Sequence, residues 1–469
     1  MFMKALLLLV FITSFQAGLT QELPVTLSEY FSKMEEDPQF SSAIIGFYVL
    51  ESKSGKIIYS KNENTGLAPA STLKIITSAT AFEMLGKDYR FKTTIGYSGK
   101  ITKHVLDGNL IITGYGDPSF GSDRWQQTSH PEKEIAALLQ ARGIKKITGG
   151  IFVNDLKWGY DPIPDGWIWQ DIGNYYGAGA RGFNWHENQF DLFLQSADTA
   201  GGPTTLIKTA PPCIARNMIN AIGTGEKNSG DNAYLYSTPY NNKIFAKGTI
   251  PPAKNNFNVK GSLPDAALTF AEVLGNYLTD AGISHPALYR SYGYLYLQNE
   301  PFPQQADTLQ TLYSPILDSI NYWFLQKSVN LFGEAFLKMM AIEKNKPGLT
   351  DSGVHIIRNF WAAQQIEKNT LKIVDGSGLS PANRVTAKAL VNILSYARKQ
   401  SWFPRFYDAL PVIHGIKMKS GYISGARAYT GFIENKKGEN FTFAIIVNNI
   451  DGSPTSSREK IWQLLDLLK

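Results

Sequence analysis

Two pairs of apolar, β-rich segments lie near opposite ends of the chain. The first pair, Ala43–Leu50 and Lys56–Ser60, is joined by a polar turn at residues 52–55, which is a hairpin signature. The second pair is Ala428–Asn435 and Phe441–Asn448, where apolar residues recur at every second position. We predict that both hairpins lie in one antiparallel sheet, which brings residues hundreds of positions apart into contact.

Helical spacing of apolar residues appears in three other regions. Residues from Pro315 to Arg398 read mostly as helix and loop, and Asp265–Asp280 predicts a helix that stops at Gly282. A terminal helix is predicted over Ile461–Leu468, with Thr455 or Ser456 as its N-cap. The combined pattern predicts an α/β (α+β) fold, in which helices flank an antiparallel sheet.

The length of 469 residues predicts two to four domains. The middle of the chain is rich in Gly, Pro and Asn, and its strand signals are short, as at Leu110–Thr113 and Gly150–Val153. It is therefore interpreted as an insertion into an outer domain. The outer domain is predicted to consist of residues 21–92 and 290–469, and the insertion of residues 93–289. The insertion is predicted to contain two nested subdomains, one formed by residues 93–190 and 260–289 and the other by residues 191–259.

The first twenty residues have the features of a secretory signal. Met1–Lys4 is positively charged, Ala5–Phe15 is mostly apolar, and small residues precede a cleavage point before Gln21. The apolar run is too short to cross a bilayer, although a short membrane anchor is the alternative interpretation. We expect the mature protein to lie outside the cytoplasm.

Composition excludes several classes of function. The net charge is only +6, and basic residues alternate with acidic ones, so no nucleic-acid-binding stripe is present. Cys213 is the only cysteine, which excludes an internal disulfide framework. The six histidines form no metal-binding spacing, and we predict neither a metal nor a cofactor.

No Ser lies in a G-x-S-x-G elbow, since Asp375 stands where Ser377 would need its first Gly, so a hydrolase here would need a base other than His for its nucleophile. In Ser71-Thr72-Leu73-Lys74, a Ser and a Lys lie one helical turn apart at the start of the apolar segment Ile75–Leu85. A lysine base must be neutral, so burial and a second cation must lower its pKa from about 10.4 toward 7. An ordinary helix N-cap is the alternative for Ser71, and a second match at Ser457–Lys460 lies among charged residues.

Two further short motifs follow in a fixed order. Ser328-Val329-Asn330 lies at a break between helical segments, and Lys419-Ser420-Gly421 opens a strand before the terminal helix. SxxK, SxN and K-[ST]-G together mark penicillin-binding proteins and class A β-lactamases. Each motif alone is weak, since SxN also occurs at residues 60–62 and 319–321, and Lys53–Gly55 is best interpreted as a hairpin turn.

With these motifs, the chain resembles the S13 peptidase family of D-alanyl-D-alanine carboxypeptidases/endopeptidases, the class C low-molecular-mass penicillin-binding proteins. Longer strings at residues 69–74, 107–118 and 375–384 support the resemblance. It implies a penicillin-binding, serine β-lactamase-like transpeptidase domain with large nested insertions. Ser420 stands where Thr is usual, and Pro381 stands where the family often has Arg.

The resemblance also implies a role for each motif residue. Ser71 is the nucleophile, Lys74 accepts its proton, and Ser328 relays a proton to the leaving nitrogen. Asn330 holds Lys74 and the substrate amide, Lys419 and Ser420 bind the substrate carboxylate, and Gly421 admits the substrate backbone. The N–H groups of Ser71 and Tyr422 form the oxyanion hole. Asp155 is either part of a peptide side pocket or a simple surface turn.

The implied partners are peptidoglycan peptides ending in D-Ala-D-Ala and β-lactam antibiotics, with no nucleic acid. The implied location is the periplasm, after secretion across the inner membrane, and loose membrane association stays open. Two alternatives remain: a secreted serine β-lactamase, which needs an added water-activating group, and a non-catalytic peptidoglycan-binding scaffold. The gap of 254 residues between Lys74 and Ser328 argues against the β-lactamase, and the presence of Ser71 and Lys74 argues against the scaffold.

Overall fold

The structure is a computed structural model that describes residues 22–125, 130–241 and 243–469. The predicted signal over residues 1–20 lies outside the described residues. Within them, no helix is both long and apolar enough to cross a membrane. The helices are α1 (Leu23–Glu36), α2 (Lys74–Met84), α3 (Pro131–Ala141), α4 (Trp169–Ile172), α5 (Ala266–Asp280), α6 (Tyr292–Leu297), α7 (Leu317–Gln326), α8 (Asn330–Glu343), α9 (Thr350–Ala363), α10 (Ala387–Ala397), α11 (Phe403–Ala409) and α12 (Pro454–Asp466).

The strands fall into one large antiparallel sheet, one mixed sheet and several small sheets. They are β1 (Ile44–Glu51), β2 (Ile57–Lys61), β3 (Lys92–Tyr97), β4 (Lys100–Thr102), β5 (Val105–Asp107), β6 (Leu110–Gly114), β7 (Lys146–Ile147), β8 (Ile151–Asn154), β9 (Gln189–Ser196), β10 (Thr204–Ala210), β11 (Met218–Thr224), β12 (Asn232–Tyr236), β13 (Ile244–Ile250), β14 (Phe257–Ser262), β15 (Tyr289–Ser291), β16 (Asp307–Tyr313), β17 (Leu371–Lys372), β18 (Arg384–Val385), β19 (Val412–Ile413), β20 (Ile416–Ile423), β21 (Ala426–Glu434) and β22 (Asn440–Asn448).

The large sheet joins both predicted hairpins and has the order β19-β20-β21-β22-β1-β2. Every neighbouring pair in it is antiparallel, and β1 pairs with β22 from Ile44 opposite Asn448 to Glu51 opposite Phe441. The hairpin turn at residues 52–55 is also present, with Gly55 at a positive φ of 74°. The prediction of an antiparallel sheet flanked by helices is therefore confirmed.

Alternating side chains of the central strands enter different cores. Phe47 and Phe443 pack with α1 and α12 on one face, whereas Tyr48 and Ala444 pack with α2, α8 and α10 on the other. Because both faces are covered, β22 is buried at every position from Phe441 to Val447 and carries apolar residues on both faces. The face that carries α2 is the one on which the motif residues meet.

The start of the terminal helix differs from the prediction. Its N-cap is Ser453, whose hydroxyl accepts a hydrogen bond from the Ser456 N–H, and not Thr455 or Ser456. Pro454 follows at the first helical position, where its missing N–H needs no partner. The predicted caps, Thr455 and Ser456, lie two and three residues too late, because Pro454 already occupies the first helical position.

The middle of the chain builds a second hydrophobic core of its own. The mixed sheet β15-β8-β6-β3-β16 packs against α3 and α5, and two three-stranded sheets, β10-β9-β14 and β11-β13-β12, extend from it. The prediction for α5 matches, with Asp265 as its N-cap. Since β16 (Asp307–Tyr313) pairs with β3, we propose that the inserted part ends near residue 314 instead of 289.

Candidate active site

Ser71 lies in a tight turn that precedes α2. Residues Ala70–Leu73 form a 3₁₀ turn, and the α-helix proper begins at Lys74. Ala70 has a positive φ of 45°, a conformation that is strained for a residue with a Cβ atom. The Thr72 hydroxyl donates to the Pro69 carbonyl over 2.7 Å and closes the turn. The sequence predicted a helix start at Ser71, and the structure adds a strained turn that aims this side chain.

The Lys74 amine has three polar neighbours. Its Nζ lies 3.0 Å from Ser71 Oγ, 2.7 Å from Asn330 Oδ1 and 2.6 Å from the Ser377 main-chain oxygen. Asn330 Oδ1 and the Ser377 carbonyl can only accept, so a neutral amine donates its two N–H groups to them. The remaining lone pair then points toward the Ser71 hydroxyl, which is the arrangement a base needs.

Two causes lower the pKa of Lys74 well below its ordinary value. The larger is burial, since the side chain is fully enclosed, and the second is the positive charge of Lys419. Asp375 and Glu334 act in the opposite direction. Burial also lowers the pKa of Lys419 to about 7, so both lysines become neutral at a lower pH than surface lysines do.

The Ser328-Val329-Asn330 motif forms the turn between α7 and α8. Ser328 has a positive φ of 57°, and Asn330 is the first residue of α8. The Asn330 amide group is held on both sides, because its Nδ2 donates to the Tyr176 carbonyl over 2.7 Å while Oδ1 accepts from Lys74. The Ser328 hydroxyl has no hydrogen bond to any described residue and lies half-buried at the edge of a cavity.

The Lys419-Ser420-Gly421 motif lies on β20, directly against the Ser71 turn. Lys419 is buried, and its Nζ donates to the Ser420 carbonyl over 2.8 Å. A Cβ atom on Gly421 would lie 2.6 Å from the Pro69 carbonyl oxygen and 2.9 Å from the Ser71 nitrogen. The glycine is therefore required by the chain's own backbone, and its predicted role toward the substrate backbone stays a prediction.

The remaining two predicted residues on this strand are accessible. Ser420 is half-buried and pairs with Tyr429 of β21, while Tyr422 is 56% exposed and lies under the Arg427 guanidinium at 4.7 Å. Thus the structure brings Ser71, Lys74 and Asn330 into one hydrogen-bonded group, sets Lys419 and Gly421 beside it, and leaves Ser420 and Tyr422 free to meet a ligand.

Motif analysis missed the contribution of the loop at residues 375–380. The Asp375 carboxylate accepts from the N–H groups of Gly378 and Ser380 and from the side chains of Asn383 and Trp167. This network shapes the loop, so that the Ser377 carbonyl faces Lys74. The signal was present in the string at residues 375–384, which was used as support for a resemblance and not as part of the site.

A cavity of about 560 Å³ adjoins the site at Ser328 and Asn330. Its other walls carry aromatic and charged side chains, including Tyr175, Trp323 and Lys327. Asp155 is elsewhere and is buried, with its carboxylate bonded to Tyr240 and to the Gly293 N–H. It is therefore not a surface turn residue. Among the described residues, no group of three or more His, Cys, Asp or Glu side chains is placed to hold a metal ion.

The competing motif matches have structural explanations. Lys460 of the second SxxK match is partly exposed and forms an ion pair with Asp37 at 2.6 Å. Asn321 of a second SxN match is buried in α7, where it accepts a hydrogen bond from Ser78 over 2.6 Å. Neither forms a hydrogen bond to Ser71 or Lys74, so the order of the motifs and their local context selected the set that meets in space.

Known proteins are similar in sequence to this chain over most of its length. The family model described as "D-Ala-D-Ala carboxypeptidase 3 (S13) family" matches residues 27–468. The D-alanyl-D-alanine carboxypeptidase DacB of Haemophilus influenzae is 24% identical, over 95% of this chain and 94% of the relative. A D-alanyl-D-alanine carboxypeptidase of Actinomadura sp. is also 24% identical, over 91% of this chain and 81% of the relative.

Solved structures show the same fold. The crystal structure of penicillin binding protein 4 (dacB) from Haemophilus influenzae superposes with a TM-score of 0.77 at 22% identity, covering 93% of this chain and 97% of that chain. The same protein complexed with a novel β-lactam superposes with a TM-score of 0.73 at 22% identity, covering 94% and 97%.

Proposed function

The chain belongs to the D-Ala-D-Ala carboxypeptidase 3 (S13) family, and on that premise we propose that it acts on peptidoglycan peptides through an acyl-enzyme on Ser71. It removes the terminal D-alanine of a stem peptide, or it cleaves the D-alanyl peptide bond of a cross-bridge. The substrates are stem peptides ending in D-Ala-D-Ala, together with cross-bridges that contain a D-alanyl peptide bond. The single observation that carries the proposal is the contact between the buried Lys74 amine and Ser71 Oγ at 3.0 Å.

The first half-reaction forms an ester. Ser71 Oγ attacks the carbonyl carbon of the penultimate D-alanine while its proton passes to the neutral Lys74 amine. The developing oxyanion accepts hydrogen bonds from the N–H groups of Ser71 and Tyr422. When the C–N bond breaks, Lys74 returns the proton through the Ser328 hydroxyl to the departing amine. Water then hydrolyses the ester and regenerates Ser71.

The other motif residues bind and orient the substrate. Lys419, in its protonated form, pairs with the terminal carboxylate, and the half-buried hydroxyl of Ser420 adds a hydrogen bond. Asn330 keeps the Lys74 amine in place through Oδ1 and reaches the substrate amide at the cavity edge. These roles are supported by the convergence of three separate motifs on one buried amine.

The proposal extends to the partners and location of the protein. Penicillins mimic the D-Ala-D-Ala unit and are expected to acylate Ser71 in the same way. The apolar character of Ala5–Phe15 supports export by a signal over residues 1–20 and residence in the periplasm, where peptidoglycan lies. We propose no stable membrane insertion of the mature protein; loose surface association is a separate property to be tested by salt extraction of the membrane fraction.

Intact-mass spectrometry with benzylpenicillin tests the nucleophile. Wild-type protein is expected to gain the mass of one penicillin molecule, and the Ser71→Ala variant is expected to gain none. Ser457→Ala, which removes the serine of the other SxxK match, is the matched control and should acylate normally. A persistent adduct on S71A would contradict the assignment.

Release of D-alanine separates this proposal from its alternatives. Incubation with a peptide ending in D-Ala-D-Ala should liberate one D-alanine per peptide, and a cross-linked dimer should be split if the endopeptidase reaction also occurs. Rapid loss of the penicillin adduct without any D-alanine release would identify a β-lactamase. Absence of both reactions in folded protein would leave a non-catalytic scaffold.

A further inference from the structure

Helix α8 carries two buried charged residues one turn apart. Glu334 and Lys338 are 0% and 1% exposed, although nearly all their neighbours on this helix are apolar. Charged side chains are almost never fully buried unless they have partners. Lys338 has them, because its Nζ donates to the main-chain carbonyls of Asp161 and Ala180 and lies 3.5 Å from the Asp161 carboxylate. The partner of Glu334 is the main-chain N–H of Gly376, which belongs to the loop beside the candidate active site.

Glu334 binds the loop that supplies an acceptor to Lys74. Its two carboxyl oxygens lie 2.9 and 3.1 Å from the Gly376 nitrogen. The Gly376 carbonyl accepts from the Thr77 hydroxyl over 2.7 Å, and the Gly378 N–H is held by Asp375 over 2.8 Å. The backbone on both sides of Ser377 is therefore fixed by side chains.

Glu334 is therefore connected to the Lys74 amine through the backbone of Gly376 and Ser377. The Ser377 carbonyl, which lies one residue beyond the Gly376 N–H, accepts from Lys74 Nζ over 2.6 Å. A main-chain carbonyl can orient an amine only as well as its own peptide is held. We infer that Glu334 is a positioning residue, which holds the Gly376–Ser377 backbone so that the lone pair of neutral Lys74 stays directed at Ser71. The inference rests on the proposed function, in which Lys74 is the base.

Charged groups from several elements lie around Lys74 and Glu334. Lys74 is faced by Lys419 from β20, by Asp375 from the loop and by Glu334 from α8, and Glu334 itself is faced by Asp375 and Lys338. Burial, followed by the Asp375 charge, raises the pKa of Glu334 to about 8. The raised pKa favours the neutral form of Glu334, in which the side chain acts as a hydrogen-bond acceptor for the Gly376 N–H. Above about pH 8 its negative charge raises the pKa of Lys74.

The test compares two substitutions at Glu334 with the same two at a matched position. Glu334→Met removes the acceptor but keeps an unbranched side chain of similar length, and Glu334→Gln keeps an acceptor oxygen without a charge. Glu132 is also a buried glutamate, and it bonds to the Trp185 side chain and to none of the motif residues. Glu132→Met and Glu132→Gln are therefore the controls for loss of a buried carboxyl. Each variant is assayed for its benzylpenicillin acylation rate from pH 6 to 9 and for its thermal unfolding.

We expect E334M to lose at least about tenfold in the acylation rate at saturating penicillin, which is within the usual range for a misplaced catalytic base. E334Q should stay within about threefold of wild type at pH 7, and half-saturating penicillin concentrations should stay unchanged because Glu334 is not exposed to the ligand. The ratio of E334Q to wild-type rates should rise between pH 7 and 9, since only the wild type acquires the opposing charge.

The inference is overturned if E334M acylates as fast as E132M, or if E334Q is as slow as E334M. Should E334M fail to fold, Thr77→Val tests the same loop by removing the hydrogen bond to the Gly376 carbonyl. T77V is expected to lower the acylation rate at least about fivefold, and an unchanged rate would overturn the inference. Failure of wild-type protein to be acylated at all would instead refute the proposed function, so the two failures are distinguishable.

Discussion

The side-chain amine of Lys74 donates a hydrogen bond to the main-chain carbonyl of Ser377, 303 positions later in the chain, over 2.6 Å. With Asn330 Oδ1 as the second acceptor, this contact uses both N–H groups of a neutral lysine. The orientation of the base thus depends on a backbone atom as much as on the motif side chains. The predictions below follow from that arrangement and from the burial around it.

Removal of the Asn330 side chain should disable the base. Asn330→Ala deletes an acceptor for Lys74 and leaves the Tyr176 carbonyl without its donor. We expect the penicillin acylation rate to fall by about 100-fold, which is typical for loss of one preorganised polar group in an active site. Asn321→Ala is the matched control, since Asn321 is an equally buried SxN asparagine without a contact to Lys74. Equal losses in the two variants would contradict this role of Asn330.

Binding of a terminal carboxylate should weaken above neutral pH. Burial lowers the pKa of Lys419 to about 7, so the free enzyme loses this positive charge as the pH rises through 7. We expect kcat/KM for a peptide ending in D-Ala-D-Ala to decline above that pH, mainly through KM. The same peptide with an amidated C-terminus, which has no carboxylate to pair, should show a much weaker decline. Identical profiles for the two peptides would show that Lys419 does not bind the carboxylate.

Addition of a methyl group at Gly421 should displace the nucleophile. In Gly421→Ala the new Cβ would lie 2.6 Å from the Pro69 carbonyl oxygen and 2.9 Å from the Ser71 nitrogen, both of which are backbone atoms. We expect a loss of about 1–3 kcal/mol in the free energy of unfolding, measured by urea denaturation, and a much slower acylation. Gly223→Ala on β11 is the control, since its Cβ would meet no atom closer than 3.8 Å. Normal acylation by G421A would contradict the close packing of β20 against the Ser71 turn.

A buried carboxyl in the inserted part should make stability depend on pH. Burial raises the pKa of Asp117 from 3.8 to about 6. Because the folded state holds this proton more tightly than the unfolded chain, stability falls as the pH rises from about 4 to 6. Asp117→Asn, which can still accept from Ser119, should therefore unfold with a free energy up to about 3 kcal/mol higher than wild type at pH 7, with a smaller gain at pH 4.

Asp123→Asn is the control for that experiment, since Asp123 is a nearby aspartate on the surface. Its unfolding free energy should follow that of the wild type at every pH. If D117N is less stable than wild type at pH 7, the Asp117 carboxylate is stabilising in its ionised form and the sign of the prediction is wrong.

The sequence was sufficient to predict the sheet, because its two hairpins each carry a strong local pattern. The pairing of β1 with β22 follows once both must bury apolar side chains on two faces. The order of the three motifs likewise rejected Lys460, and the position of Ser328 at a break between helical segments favoured Asn330 over Asn321. These predictions rest on side-chain identity, which a sequence states directly.

The sequence did not predict contacts made by backbone atoms. Nothing in the identity of Ser377 indicates that its carbonyl meets Lys74, and nothing in Ala70 indicates a positive φ. A further signal left unused was the presence of Glu334 and Lys338 four residues apart in an otherwise apolar helix. Two charged residues on a buried helix predict a polar network, and this one reaches the Ser377 loop.

The pairing of β1 with β22 also has a consequence for the order in which the protein can fold. The ribosome synthesises β1 about 400 residues before β22, with which it pairs. It likewise synthesises Lys74 long before Asn330 and Ser377, which supply its two oxygen acceptors. The segments between them carry a hydrophobic core of their own and can collapse in the meantime. A nascent or partly exported chain therefore holds the serine and the lysine without a working base, and competence for catalysis arrives only with the last strand of the sheet.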